Sequence, residues 1–161
     1  MPETLEPLTL RIRALEDREE IRDLIARYGP LADTGDGAGV AALWQEDGVY
    51  AVGGMGESIG RDAIAALMQG AVHQKLMSDG CAHVLSPASI RVDGDLAIAC
   101  GYSCVFRWTG EVWEAARVSA NRWELARSVD GWQVVRRENA LLNGSEAAQA
   151  LLIPQVAPHP R

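Results

Sequence analysis

Nowhere does this sequence hold anything near the roughly 20 consecutive apolar residues that a membrane span needs. At the start, where a secretion signal would lie, Arg11, Arg13 and Glu16 interrupt the apolar residues. A protein that stays in the cytoplasm, without membrane contact, is therefore expected. Cysteine is scarce: Cys81, Cys100 and Cys104, 3 in 161 residues, do not make a disulfide framework and suit a reducing compartment. They also lack the paired Cys-x-x-Cys spacing of a soft-metal site, so no metal is expected, although Cys81 and His83 would share a strand face. Basic residues are outnumbered, 15 Lys and Arg against 22 Asp and Glu, for a formal net charge of -7. With no basic cluster interleaved with aromatics, this charge argues against a nucleic-acid partner. The chain has no internal repeat and no G-x-S-x-G elbow. Gly54, Gly56 and Gly60 miss the dinucleotide fingerprint by one residue and sit in no βαβ repeat, so no cofactor is implied.

Hydrophobic residues at 48% and charged residues at 23% are ordinary for a globular domain, and the length suits one such unit. We expect a single domain over residues 1–153, followed by an irregular proline-rich tail over 154–161. Within the domain, residues 17–28 carry Ile21, Leu24, Ile25 and Tyr28 at i, i+3, i+4 and i+7, which predicts a helix ending at Pro30. Asp36 is a good N-cap for a second, short helix with Val40, Leu43 and Trp44 on its apolar stripe. Residues 49–52 read as a short strand running into a glycine-rich loop over 53–60. Helical spacing then returns over 61–68.

The second half changes period. Segments 81–92, 96–107, 112–126 and 132–138 read as strands, separated by Asp93-Gly94-Asp95, Thr109-Gly110 and Asp130-Gly131. Helices followed by hairpins predict an α+β fold with three N-terminal helices on one face of an antiparallel sheet. The strands are long, about 11–15 residues against a usual 5 or 6, so the sheet must curve and leave a cone-shaped hollow.

Several segments, taken in order, carry a family resemblance: Ile21-Arg-Asp-Leu-Ile-Ala-Arg-Tyr28, Ala32-Asp33-Thr-Gly-Asp36, Trp44-Gln-Glu-Asp47-Gly48, Ile59-Gly60-Arg61-Asp-Ala-Ile64, His83, Val92-Asp93-Gly94-Asp95-Leu-Ala97 and Val129-Asp130-Gly131-Trp132. The chain thereby resembles the SnoaL-like branch of the nuclear transport factor 2-like superfamily, which includes scytalone dehydratase, ketosteroid isomerase and polyketide cyclases. That resemblance implies a pocket between sheet and helices, and a homodimer or higher oligomer formed through the outer sheet face. It does not imply one reaction, so function has to come from the site.

His83 is the first candidate, since an imidazole exchanges protons near neutrality. The alternative is a half-buried structural histidine. Asp33, after the first helix, resembles the acidic partner of that histidine in dehydratase-like members, where it would fix the tautomer; a plain turn residue is the alternative. Tyr28 and Tyr50 look like the paired tyrosines of scytalone dehydratase, which hold a carbonyl or protonate a departing hydroxyl; an amphipathic core tyrosine is the alternative for each. Simple alternation places Trp113, Ala115, Arg117, Ser119, Asn121 and Trp123 on one strand face. Ser119 and Asn121 resemble the Ser-x-Asn pair of scytalone dehydratase, and the tryptophans would supply apolar walls. The alternative is that this face forms the oligomer interface. His73 falls on or just after the third helix, so a mechanism with one histidine is expected.

The resulting expectation is a cofactor-free dehydratase-type lyase or isomerase acting on a small cyclic or aromatic hydroxy-carbonyl compound. His83 and Asp33 are the acid–base dyad, Tyr28 an acid or polarising group, and Tyr50, Ser119, Asn121, Trp113 and Trp123 the substrate contacts. A non-catalytic domain that binds a small organic ligand is the alternative. Epoxide hydrolysis, as in limonene-epoxide hydrolase, would rest on Arg117 with Asp33 and is less favoured.

Overall fold

A computed structural model of the chain describes residues 5–154. Its first element is the helix α1, Leu5–Asp33, whose residues Ile21, Leu24, Ile25, Tyr28 and Ala32 are buried along one stripe. The helix starts well before residue 17, with Leu8, Leu10, Ile12 and Leu15 exposed on its first turns. It also runs through Pro30, where a stop was expected. Burial of Ala32 holds the last turn onto the core. The Pro30 carbonyl is bonded by both the amide and the hydroxyl of Thr34, at 3.1 and 2.9 Å, so packing and capping override the proline's local cost.

The second helix, α2 (Gly37–Ala42), is capped as expected, with Asp36 accepting from the Gly39 amide at 2.8 Å. Trp44 does not continue it. It opens β1, Trp44–Val52, and its buried indole donates to the Val49 carbonyl. The expected glycine loop contains a short strand, β2 (Gly56–Ile59), folded back on β1. Next come α3 (Arg61–Leu67) and a helix that was not expected, α4 (Ala71–Asp79), so four helices precede the main strands rather than three.

Pro87 divides the expected first long strand into β3 (Cys81–Leu85) and β4 (Ser89–Asp93), both paired to β5 (Leu96–Trp108). The meander continues through β6 (Trp113–Ser128) and β7 (Gly131–Leu141). A short α5, Glu146–Ala150, packs on β6 and β7 with Ala148 and Leu151 buried. The sheet order is β2-β1-β7-β6-β5-β3, with β4 also on β5. The fold is α+β with a curved sheet, but the sheet is mixed rather than antiparallel. The meander brings β7 back alongside β1 running in the same direction, so that one ladder is parallel. Among the described residues no helix is long and apolar enough to cross a membrane. The tail expected over 154–161 lies, apart from Pro154, outside the described residues.

The approach of α1 to β3 decides where the site forms. Gly29 is buried in the helix, and a Cβ there would collide with the His83 carbonyl oxygen. Alanine is a better helix former by about 1 kcal/mol, yet here it would force the two elements apart. Gly29→Ala is therefore expected to destabilise the fold by about 1–3 kcal/mol, read as a lower melting temperature. An unchanged or raised melting temperature would show that α1 does not sit this close.

Candidate functional site

Cross-strand pairing on the concave face sets the site out in rows. Tyr50 (β1), Arg137 (β7), Trp123 (β6) and Ala99 (β5) make one row, and Val52, Asn139, Asn121 and Gly101 the next. Leu141, Ser119, Ser103 and Leu85 form a third, and Arg117, Val105 and His83 a fourth. Between this face and α1, α3 and α4 lies a cavity of about 700 Å³, whose walls include Tyr28, Tyr50, His73, His83, Arg117, Ser119, Arg137 and Asn139 together with Leu67, Leu76 and Val105. Apolar walls with a few convergent polar groups are what a small organic ligand requires. A second hollow of about 610 Å³, beside Pro30 and Trp132, contains none of the histidines or tyrosines.

Asp33 ends α1 and His83 lies mid-β3, so the close contact at Gly29 brings them together. Asp33 Oδ1 accepts from His83 Nδ1 at 2.6 Å, and the same carboxylate accepts from the His83 amide at 3.0 Å. An ionised carboxylate can only accept, so the imidazole proton sits on Nδ1 and Nε2 is left as the basic atom. Burial lowers the His83 pKa below its ordinary value; Asp33 opposes this, while His73 and Arg137 add to it. The imidazole is thus neutral at pH 7 and able to take a proton.

His73, on the unexpected α4, stands in the same cavity, its ring 5.5 Å from that of His83. Its Nε2 donates to the Ala32 carbonyl at 2.7 Å. The site therefore holds two histidines, although only one pairs with a carboxylate. Cys81 donates to Asp33 at 3.4 Å, and burial together with that carboxylate pushes its thiol up to about 11, so it is not a thiolate nucleophile. Asp33, Cys81 and His83 each present a possible ligand atom within 4.8 Å of the others. As arranged they form a hydrogen-bonded set. The 2.6 Å between Nδ1 and Oδ1 is shorter than the roughly 3.3 Å between two ligands on a tetrahedral zinc.

Across the cavity the Tyr28 and Tyr50 hydroxyls are 3.2 Å apart, and Asn139 Nδ2 donates to Tyr50 at 3.1 Å. Burial raises the Tyr50 pKa above its ordinary value, which keeps the phenol protonated. Ser119 lines the cavity but accepts from Arg117 Nε at 3.0 Å. Asn121 and Trp123 lie under the floor rather than in it. Asn121 Oδ1 accepts from Arg137 Nε and Nη2 at 3.1 and 2.8 Å, and Trp123 stacks under the same guanidinium. Both carry Arg137 instead of meeting a ligand directly. Trp113 is a clear correction: it is exposed and packs on Trp108, away from the cavity. Val105 pairs with Arg117 but Phe106 with Ala115, so Ala116 is an extra residue and the alternation reverses there.

Arg137 and Asn139 are not among the expected site residues, and His73, which the sequence reading sets aside, stands in the cavity. A second bulge, at Val135 between the pairs Leu125/Val134 and Glu124/Arg136, turns Arg137 and Asn139 inward where plain alternation would turn Arg136 and Glu138. The sequence does hold one signal for this, since Arg136-Arg137-Glu138-Asn139 offers charged residues to both faces and leaves no apolar residue to line a core.

Comparison with known proteins agrees with this architecture. A family model described as a SnoaL-like domain matches residues 13–138. An NTF2-like protein with a cystatin-like fold from Novosphingobium aromaticivorans is 56% identical over 95% of this chain and 99% of its own, with a TM-score of 0.92. Rv3472 from Mycobacterium tuberculosis, of unknown function, is 20% identical over 96% and 100% of the two chains at a TM-score of 0.73. A Catenulispora acidiphila protein solved in complex with S-DNPA is 22% identical over 84% and 98%, at 0.70. No curated protein matches the chain.

Proposed function

Because this chain belongs to the SnoaL-like domain family, we propose that it is a dehydratase-type lyase or an isomerase, acting without a cofactor on a small cyclic or aromatic hydroxy-carbonyl compound. The observation that carries this reading is the 2.6 Å contact between His83 Nδ1 and Asp33 inside a cavity that also holds paired tyrosine hydroxyls. His83 Nε2 removes the proton next to the substrate carbonyl, and Asp33 stabilises the imidazolium that forms. Asn139 fills a lone pair of Tyr50, so Tyr50 can donate to Tyr28, whose own proton then serves the substrate's carbonyl oxygen or departing hydroxyl. Loss of water from a β-hydroxy ketone balances in this scheme: the C–H proton goes to His83, and the hydroxyl leaves with a proton from Tyr28, which His83 restores. The small-molecule complex of the Catenulispora protein supports the reading that a domain of this fold takes a small ligand.

The test is incubation of the purified protein with a panel of cyclic β-hydroxy ketones, with and without a ring carboxylate, and their enone isomers, followed by NMR. Enone formation or double-bond migration above the buffer rate is expected. Recovery of every compound unchanged, despite saturable binding of some, would leave a ligand-binding domain in place of an enzyme.

The assembly we propose is a homodimer through the outer sheet face, where Val84, Tyr102, Val118 and Trp113 are exposed together. Sedimentation velocity at micromolar concentration is expected to give a dimer that Tyr102→Glu converts to monomer. A monomeric wild type would remove the proposal.

A further inference from the structure

Arg137 is 2% exposed, and among the described residues no carboxylate pairs with it. Its guanidinium carbon lies 4.0 Å from the centre of the Tyr28 ring, 4.1 Å from Trp123 and 4.8 Å from Tyr50. Those ring faces attract a cation without neutralising it. Nε and Nη2 both go to Asn121 Oδ1, leaving Nη1 buried with no hydrogen-bond partner. A buried donor on a permanent charge is expensive to leave unmade, and such a gap in a native site asks for a missing partner. Arg137 lines the same cavity as the dyad.

We infer that Arg137 Nη1 anchors a carboxylate of the ligand, so that the compound bound here is a ring acid rather than a neutral ring ketone. A carboxylate is chosen over a phenol because at pH 7 only the former is reliably ionised. The guanidinium cannot lose its proton to relieve the burial, and the aromatic cage together with Asn121 fixes its plane, so little ordering is needed when the anion arrives. Arg137 and His83 both flank Tyr28, which places the anchored acid group and the basic Nε2 at two points on one small molecule. The inference rests on the reading that this cavity takes the substrate, and it names the charge that the substrate carries.

The test compares 2-naphthoate with its neutral isostere 2-naphthamide by calorimetry and by quenching of tryptophan fluorescence. Wild type is expected to bind the carboxylate about 10- to 100-fold more tightly, and Arg137→Met to abolish that preference. Equal affinities, tighter binding of the amide, or no binding of either by wild type would overturn the anchor; should Arg137→Met not fold, the wild-type pair alone decides. A carboxylate preference without turnover of any panel compound would keep the anchor and remove the acid–base reading, and turnover without the preference would do the reverse.

Discussion

His83→Ala is expected to lower turnover by about 10²- to 10⁴-fold, the range that one positioned general base supplies, while the circular dichroism spectrum stays that of the wild type. Asp33→Asn should lose nearly as much. The amide can still accept from the His83 backbone, but it can equally donate to Nδ1, and that rotation leaves the proton on Nε2, where the lone pair is needed. The pH profile separates this account from a generic loss of structure. Burial holds the His83 pKa below its ordinary value of 6.5, and the base must be neutral to act. The acid limb of kcat/KM therefore falls below pH 6.5, with full activity on the alkaline side of it. Asp33 is the largest influence holding that pKa up, so Asp33→Asn moves the limb lower still. A limb above 6.5, or one that ignores Asp33, would remove His83 from the role of base.

How far such a site can be read in advance depends on whether alternation survives along each strand. His83 and Asp33 were legible because β3 is short and unbulged and Asp33 closes the helix that carries the apolar stripe, so period and position were enough. Tyr28 was legible for the same reason, as the last apolar residue of the stripe Ile21-Leu24-Ile25-Tyr28. The long strands behave otherwise. One extra residue at Ala116 turns Trp113 outward, and another at Val135 turns Arg137 and Asn139 inward. Neither position is a glycine or otherwise marked, and a bulge without such a residue leaves no trace in composition. The helix carrying His73 was hidden differently. Its apolar residues are few and Val72 is exposed at the cavity rim, so packing over the cavity mouth, more than amphipathic spacing, accounts for it.

Asn121→Leu is expected to be among the most damaging single changes in the protein, although Asn121 touches neither ligand nor solvent. It removes the acceptor for Nε and Nη2 and leaves all the Arg137 donors unmade in an aromatic cage. The cost is about 3–5 kcal/mol, or roughly 10–15 °C in melting temperature for a domain of this size. Arg137→Met follows the opposite logic. It withdraws the charge, fills similar volume with an apolar chain and leaves only the Asn121 carbonyl unpaired, at about 1–3 kcal/mol. The two changes must therefore be strongly coupled: Asn121→Leu made on top of Arg137→Met is expected to be more stable than Asn121→Leu alone, by about 2 kcal/mol. Simple additivity in that cycle would mean that the guanidinium is solvated by some route other than Asn121. The coupled result would mean that the arginine burdens the fold wherever nothing anionic is bound, and a burden of that kind is retained for what the site binds, since an apolar residue would serve the core better.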